Sequence, residues 1–170
     1  MSIRSLSGNG DAAGKHNPSA AGYHGGTNTD LSTLATDNIT EVLLKILEFT
    51  QNRQKILIKN INAMYRACFE PKDLPVDEFA GLMFLAISEH INSRRLLLCD
   101  GDNVKFGAGG SFEATPIVDE EARRLLAESR DEYLRDQVSK LLENSLNQRI
   151  ATQLLRQKQS DELCRGMCLD

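Results

Sequence analysis

Three side chains have the types needed for metal binding or nucleophilic catalysis, but the sequence supplies no partners for them. Cys164 and Cys168 lie one helical turn apart and could share a metal ion, yet a structural zinc site needs about four ligands and no histidine lies nearby. His90 lies beside Ile87 and Ile91, without a Ser, Cys or carboxylate partner that the sequence can place. We therefore expect two thiols near a chain end and a partly buried structural histidine.

Two short loops resemble ligand-binding motifs without completing them. In "GAGGS", Gly107–Ser111, no helix follows at once and no Lys-Ser or Lys-Thr pair closes the loop, as a phosphate site requires. In "DGDN", Asp100–Asn103, the calcium-loop pattern fails at Val104, Lys105 and Ser111. We expect a protein that is not an enzyme, with no metal or other cofactor and no small-molecule substrate.

The overall composition argues against several classes of partner. The 170 residues include 24 acidic and 20 basic side chains, so the net charge of -4 gives no reason to expect nucleic acid or an acidic lipid surface. No run approaches the roughly 18 to 20 apolar residues of a membrane span, and "MSIRSLSGNG" lacks the apolar core of a cleavable signal. We expect a chain made in the cytosol that uses no ordinary signal peptide.

The first half of the sequence predicts a polar tail followed by two helices. Residues 1–36 are rich in Gly, Ser, Asn and Thr and are expected to form a disordered tail. A first helix is predicted over about 38–66, with Asn38 as its cap in "NITE" and one broad apolar face. A second helix is predicted over about 76–93, with Asp73 as a cap and Pro75 in its first turn.

The middle of the chain, about 97–118, is expected to be flexible. "LLLCDGDNVKF" predicts a tight hairpin that turns at Asp100–Gly101, and "GAGGSFEATP" at 107–116 predicts a flexible loop.

The last predicted element is a helical stretch over about 119–163, without Pro or Gly. A single helix of that length would reach roughly 65 Å, which is too long for a compact domain of this size to cover. Either part of this helix projects from the domain, or it breaks near Ser129–Asp131.

The apolar residues of this last stretch recur every four positions. They are Leu134, Val138, Leu142, Leu146, Ile150 and Leu154. Each step turns about 40° past a full circle, so the row winds by roughly 200° around the helix. Either Leu125, Leu126, Leu141 and Leu155 fill the gaps to give one ordinary broad face, or the helix contacts several neighbouring subunits, as in a tube of packed helices.

These patterns predict a mainly α fold. The long N- and C-terminal helices would pair as a coiled-coil-like bundle, accompanied by a shorter middle helix and a small irregular or β-hairpin region. The predicted organisation is the tail at 1–36, one helical domain at 37–165, and a frayed end at 166–170.

Both terminal helices resemble those of the bacterial flagellar basal-body rod protein family, the proximal rod type above all. "VLLKILEFTQNRQKILIKNINAM" is similar to the family's first helix, with its polar Gln-x-Arg stretch and its Asn-Ile-Ala-Asn motif, and Gln51, Arg53, Asn60 and Ile61 match it by position. "VSKLLENSLNQRIATQLLRQK" resembles the closing helix with its Asn-small-Leu step. The residues that fit are Asn144, Ser145, Leu146, Ala151, Leu154 and Leu155.

The resemblance implies a non-catalytic structural subunit of the flagellar rod that assembles helically through its terminal helices. Its partners would be further rod subunits, the basal-body ring and the export gate. It would lie in the periplasm-spanning basal body after type III export without a cleaved signal. The expected assembly residues are Gln51, Arg53, Asn60, Ile61, Asn144, Leu146, Ile150 and Leu154.

Two further questions stay open from the sequence. The polar stretch Gln51–Lys55 is either a subunit-contact or channel-facing segment or a merely solvated face. The same amphipathic helices and acidic balance also fit a cytosolic helical interaction or regulatory module.

Overall fold

The structure, a computed structural model, describes residues 30–107 and 110–167. Most of the predicted tail and Cys168 lie outside the described residues. The fold is mainly helical, as predicted, with four helices and two small antiparallel sheets in the described part. Helix α1 spans Asp30–Ala63, and its main packing partner is the long C-terminal helix α4, Arg130–Met167.

The first helix begins earlier than its predicted cap. Asn38 lies within α1, and its Nδ2 atom is 3.3 Å from Nδ1 of His90. The predicted cap at Asn38 is therefore wrong. The side chain is instead used in a contact between helices, which no local pattern reveals. The helix ends at Ala63, three residues before the predicted limit.

The second helix, α2, spans Val76–Ser93, close to the predicted bounds. Pro75 is its N-cap and no side chain caps it, so the predicted cap at Asp73 is wrong. The Asp73 carboxylate instead pairs with Arg53 of α1. The helix ends at Arg94, which has a left-handed φ of 61° and donates its N–H to the His90 carbonyl.

The middle region contains four short strands. Strand β1, Lys72–Asp73, pairs with β4, Ile117–Val118, and β2, Val104–Phe106, pairs with β3, Phe112–Ala114.

The prediction of a hairpin that turns at Asp100–Gly101 is wrong. The hairpin is formed instead by β2 and β3, which lie on either side of the glycine-rich loop. Two features favour the observed register. Asp100 accepts the Phe106 N–H at 2.7 Å, and Phe112 packs edge-on against Phe79 of α2 with ring centres 5.8 Å apart.

The last helical stretch breaks at Ser129, which is one of the two outcomes that the sequence left open. Helix α3 spans Glu120–Glu128 and α4 begins at Arg130, because Ser129 takes an extended conformation with φ -154° and ψ 114°. Asp119 caps α3 by accepting the Ala122 N–H at 3.0 Å.

The hydrophobic core has two parts. The larger part lies between α1, α2 and the β2–β3 pair, where the rings of Phe49 and Phe79 stack with centres 4.0 Å apart. The smaller part joins Met64, Ala122 and Tyr133, which are each at most 6% exposed. This second cluster fixes α3 and the start of α4 on the end of α1.

Candidate assembly interface

The face of α4 that packs on α1 is made mainly of polar and small residues. Tyr133, Gln137, Asn144 and Ala151 are at most 3% exposed, and their spacing of four, seven and seven places them on one side of the helix. Hydrogen bonds therefore hold α4 on α1 as much as apolar packing does.

Asn60 is the centre of one buried polar network in this contact. Its Nδ2 atom donates to the Lys72 carbonyl at 2.7 Å and to Oε1 of Gln137 at 2.9 Å. The Tyr133 hydroxyl donates to the Asn60 carbonyl at 3.2 Å. The Asn60 residue therefore joins α1, β1 and α4.

Arg53 and Asp73 form a buried bidentate ion pair. Arg53 Nε lies 2.9 Å from Oδ1 and its terminal nitrogen lies 2.8 Å from Oδ2 of Asp73, with side chains 6% and 12% exposed. One helical turn away, Asn144 donates from Nδ2 to the Thr50 carbonyl at 2.8 Å. Both contacts fix α1 against its neighbours.

Three of the predicted assembly residues therefore lie inside the chain's own packing. Arg53, Asn60 and Asn144 are 5%, 2% and 1% exposed. Gln51 is exposed and Ile61 is half-buried. The polar stretch Gln51–Lys55 is thus split, because it directs Arg53 inward and its two end residues to the surface.

The remaining three, Leu146, Ile150 and Leu154, belong to the apolar row on the outside of α4, which we call the outer stripe. Its members are exposed by 36% at Leu134, 40% at Val138, 67% at Leu142, 58% at Leu146, 47% at Ile150 and 48% at Leu154. Exposure rises and then falls, as expected for a row that crosses the outer face from one flank to the other. The predicted winding is confirmed, and the gap-filling leucines do not cover the stripe.

The far end of the stripe forms one wall of a groove of about 310 Å³ between α1, α2 and α4. Ile150 and Leu154 face this groove opposite Leu43 of α1 and Met83 of α2. The polar floor includes Arg53, whose charge is already paired with Asp73. No local sequence pattern predicts this groove, because its walls come from three distant segments.

Several titratable groups have shifted pKa values. Burial raises the pKa of Tyr133 to about 12, with the charges of Asp119 and Asp136 adding to the effect. For Lys140, burial acts to lower the pKa, but ion pairs with Asp119 at 2.6 Å and Asp136 at 2.9 Å leave it raised. Hydrogen bonds from the Asn103 side chain and backbone lower the pKa of Glu78. These groups tie α4 and the β2 loop to the fold.

The candidates for chemistry remain apart. No group of three or more His, Cys, Asp or Glu side chains is arranged to hold a metal in the part of the chain that the structure describes. Cys68, Cys99 and Cys164 are exposed free thiols, and His90 is 8% exposed against Asn38. Gly110 of the glycine-rich loop accepts a hydrogen bond from Lys45 through its carbonyl. Among the described helices, none is long and apolar enough to cross a membrane.

Sequence reasoning missed Tyr133, Gln137 and Asp73 as interface residues. For the first two a signal was present, since Tyr133, Gln137, Asn144 and Ala151 keep a heptad-like spacing opposite the leucine row. For Asp73 no local signal existed, because its partner Arg53 lies twenty positions earlier.

Comparisons with protein-family models, with curated proteins and with solved structures yield no match.

Proposed function

We propose that this protein is a non-catalytic structural subunit of the bacterial flagellar basal-body rod, which assembles helically through α1 and α4. The observation that carries the proposal is the outer stripe, in which six large apolar side chains are each at least 36% exposed along one helix. Exposed apolar surface of this extent marks a contact site, since water would otherwise cover it at a free-energy cost.

The distribution of side chains on α4 supports a helix that binds neighbouring subunits over a helix that only packs within its own domain. The inner face buries a tyrosine, a glutamine, an asparagine and an alanine, while the outer face carries the large aliphatic residues. A helix that had only to pack on its own domain would place its leucines inward. The outer stripe also crosses about 200° of the helix surface, which is too wide for one partner and suits several neighbours in a tube.

One further feature supports the rod class in particular. The matches to the rod family at Asn60 and Asn144 lie at buried positions of the α1–α4 contact. The match at Arg53 is buried in the ion pair that joins α1 to β1, so the resemblance falls on residues that hold α1 in the fold. The proposed location is accordingly the basal body, with export through the type III apparatus and further rod subunits, the basal-body ring and the export gate as partners.

The test at the protein level is concentration-dependent assembly of the purified full chain. We expect sedimentation velocity to show growth into large species, and electron microscopy to show fibres or tubes. Replacing both central leucines of the stripe, L142S/L146S, should leave a monomer, because these are its two most exposed members. Q159S on the same helix is the matched control, as Gln159 is exposed and polar and lies outside the stripe, and this variant should assemble like the wild type.

A compact monomer at every concentration would contradict the assembly proposal. The rod assignment has its own test in the source bacterium, where deletion of the gene should leave cells without complete basal bodies. Intact basal bodies in that strain would reject the rod assignment even if the protein polymerises.

The groove between α1, α2 and α4 supports a second candidate, a helical interaction or regulatory module. Its apolar walls, with Leu43, Met83 and Leu154 among them, would accept one amphipathic helix of a soluble partner. A stable one-to-one complex that is lost on L154K, at a groove position that is 48% exposed, together with a chain that does not self-associate, would favour this candidate over the rod subunit.

A further inference from the structure

Two charged faces of α4, of opposite sign, lie on opposite flanks of the helix. The basic flank, in the C-terminal half, consists of Ser145, Arg149, Thr152 and Arg156. The acidic flank, in the N-terminal half, consists of Glu132, Asp136, Ser139 and Glu143. Each set follows the spacing four, three, four, so each shares one side of a helix.

The two flanks have the same layout, displaced along the helix. Every member of the basic flank follows a member of the acidic flank by thirteen positions, so Arg149 corresponds to Asp136 and Arg156 to Glu143. Thirteen residues advance a helix by about 20 Å and turn it by roughly 220° beyond full circles, which places the flanks on nearly opposite sides.

Only one of these five charges, Asp136, has an ion-pair partner within the described residues. Glu132, Glu143, Arg149 and Arg156 are exposed and form no ion pair within the described residues. The Asp136 carboxylate forms an ion pair with Lys140 at 2.9 Å. The basic flank forms one wall of an open depression of about 460 Å³ whose lining residues all belong to α4, so no other described element covers it.

From this complementarity we infer that a second copy of this chain docks on the basic flank through its own acidic flank, with the two α4 helices parallel and staggered by about 20 Å. This inference rests on the proposed function and specifies its interface. Two copies in the same orientation present opposite flanks to each other, and the stagger places Arg156 of one copy against Glu143 of the next. Each copy then offers a free basic flank and a free acidic flank, so the contact repeats without closing.

An antiparallel two-fold dimer does not satisfy the same charges. In that arrangement each basic flank would face the side of the N-terminal half that carries Leu134, Val138 and a single carboxylate, Asp131, which lies five full helical turns before Arg149. One acidic group would then face the two arginines Arg149 and Arg156. The charge pattern therefore favours an open head-to-tail contact, in which each of the two arginines meets its own carboxylate, over a closed dimer.

Charge reversal of one pair tests this register. We expect Arg156→Glu and Glu143→Arg each to raise the critical concentration for assembly at least about tenfold, because like charges then oppose each other. The double variant R156E/E143R should recover assembly. An equimolar mixture of the two single variants should also recover it, since copies that alternate bring opposite charges together at every contact. Arg95→Glu, at an exposed position after α2 and away from α4, is the matched control and should assemble normally.

Cross-linking reports the stagger independently of charge. In a background with the native cysteines replaced by serine, a mixture of Ser139→Cys and Thr152→Cys chains should give covalent dimers on oxidation. Neither chain alone should do so, nor should Ser139→Cys mixed with Ser160→Cys, where the stagger would be wrong. Circular dichroism of each variant establishes that the monomer is folded.

The outcomes separate the two proposals. A wild-type chain that stays monomeric rejects the assembly proposal and this register with it. A chain that assembles while R156E and E143R behave like the wild type, or whose mixture of single variants does not recover, rejects the register and leaves the proposed function standing.

Discussion

At the scale of residues, the α1–α4 contact depends on buried polar groups that satisfy one another. In the described part of the chain, no buried side-chain nitrogen or oxygen lacks a hydrogen-bond partner. Such groups fix which residues face each other, since a shift of the helices would leave them unpaired at a cost of about 1–3 kcal/mol each.

The Arg53–Asp73 pair gives the sharpest residue-level prediction. Asp73→Ala should lower the free energy of unfolding by about 3–5 kcal/mol, because it leaves a buried guanidinium without its partner. Urea denaturation measures this effect. The double variant R53M/D73L should lose much less than the sum of the single changes, and strict additivity would contradict a coupled pair.

The raised pKa of Tyr133 leads us to expect that the protein loses stability at alkaline pH. Its pKa is raised from its ordinary value of 10.0 to about 12, so the unfolded chain releases this proton first as pH rises. The stabilising contribution is complete below pH 10 and should fall by about 2 kcal/mol by pH 12. Denaturation at several pH values, compared with Tyr133→Phe, isolates the effect. An equal alkaline loss in that variant would contradict it.

At the scale of elements, α3 is held at its N-terminal end by contacts with the first half of α4. Ala122 is fully buried in the Tyr133 cluster, and Asp119 both caps α3 and pairs with Lys140 of α4. One side chain therefore joins two helices across the break at Ser129.

Substitution of Asp119 separates its two roles. Asp119→Ala should cost about 2 kcal/mol or more, since both the cap and the ion pair are lost. Asp119→Asn should cost roughly half of that, because an amide oxygen still caps the helix and Lys140 keeps Asp136. Thermal unfolding of the two variants checks the order, and equal losses would show that the cap contributes nothing.

At the scale of the whole molecule, the core and the middle of the outer stripe, Leu142 and Leu146, are separate apolar surfaces. Leu57 is fully buried, whereas Leu142 is 67% exposed. The first stabilises the monomer, and the second is available only to neighbours.

Substitutions at these two leucines therefore test whether the core stabilises the monomer while the outer stripe does not. Leu57→Ala should lower the free energy of unfolding by about 2–5 kcal/mol, while L142S/L146S should change it by no more than about 0.5 kcal/mol. Measurements at concentrations below the onset of assembly keep association out of the comparison. A large loss in the stripe variant would mean that the stripe belongs to the core.

The sequence by itself determined the helices and the outer stripe, because periodicity and breaking residues are local properties. Helix α2, the break near Ser129 and the winding row from Leu134 to Leu154 were all predictable in this way. The tertiary structure alone decided the partners. Asp73 is an ion-pair partner and not a cap, and Asn60 and Asn144 join α1 to α4, because the other half of each contact lies far away in the chain.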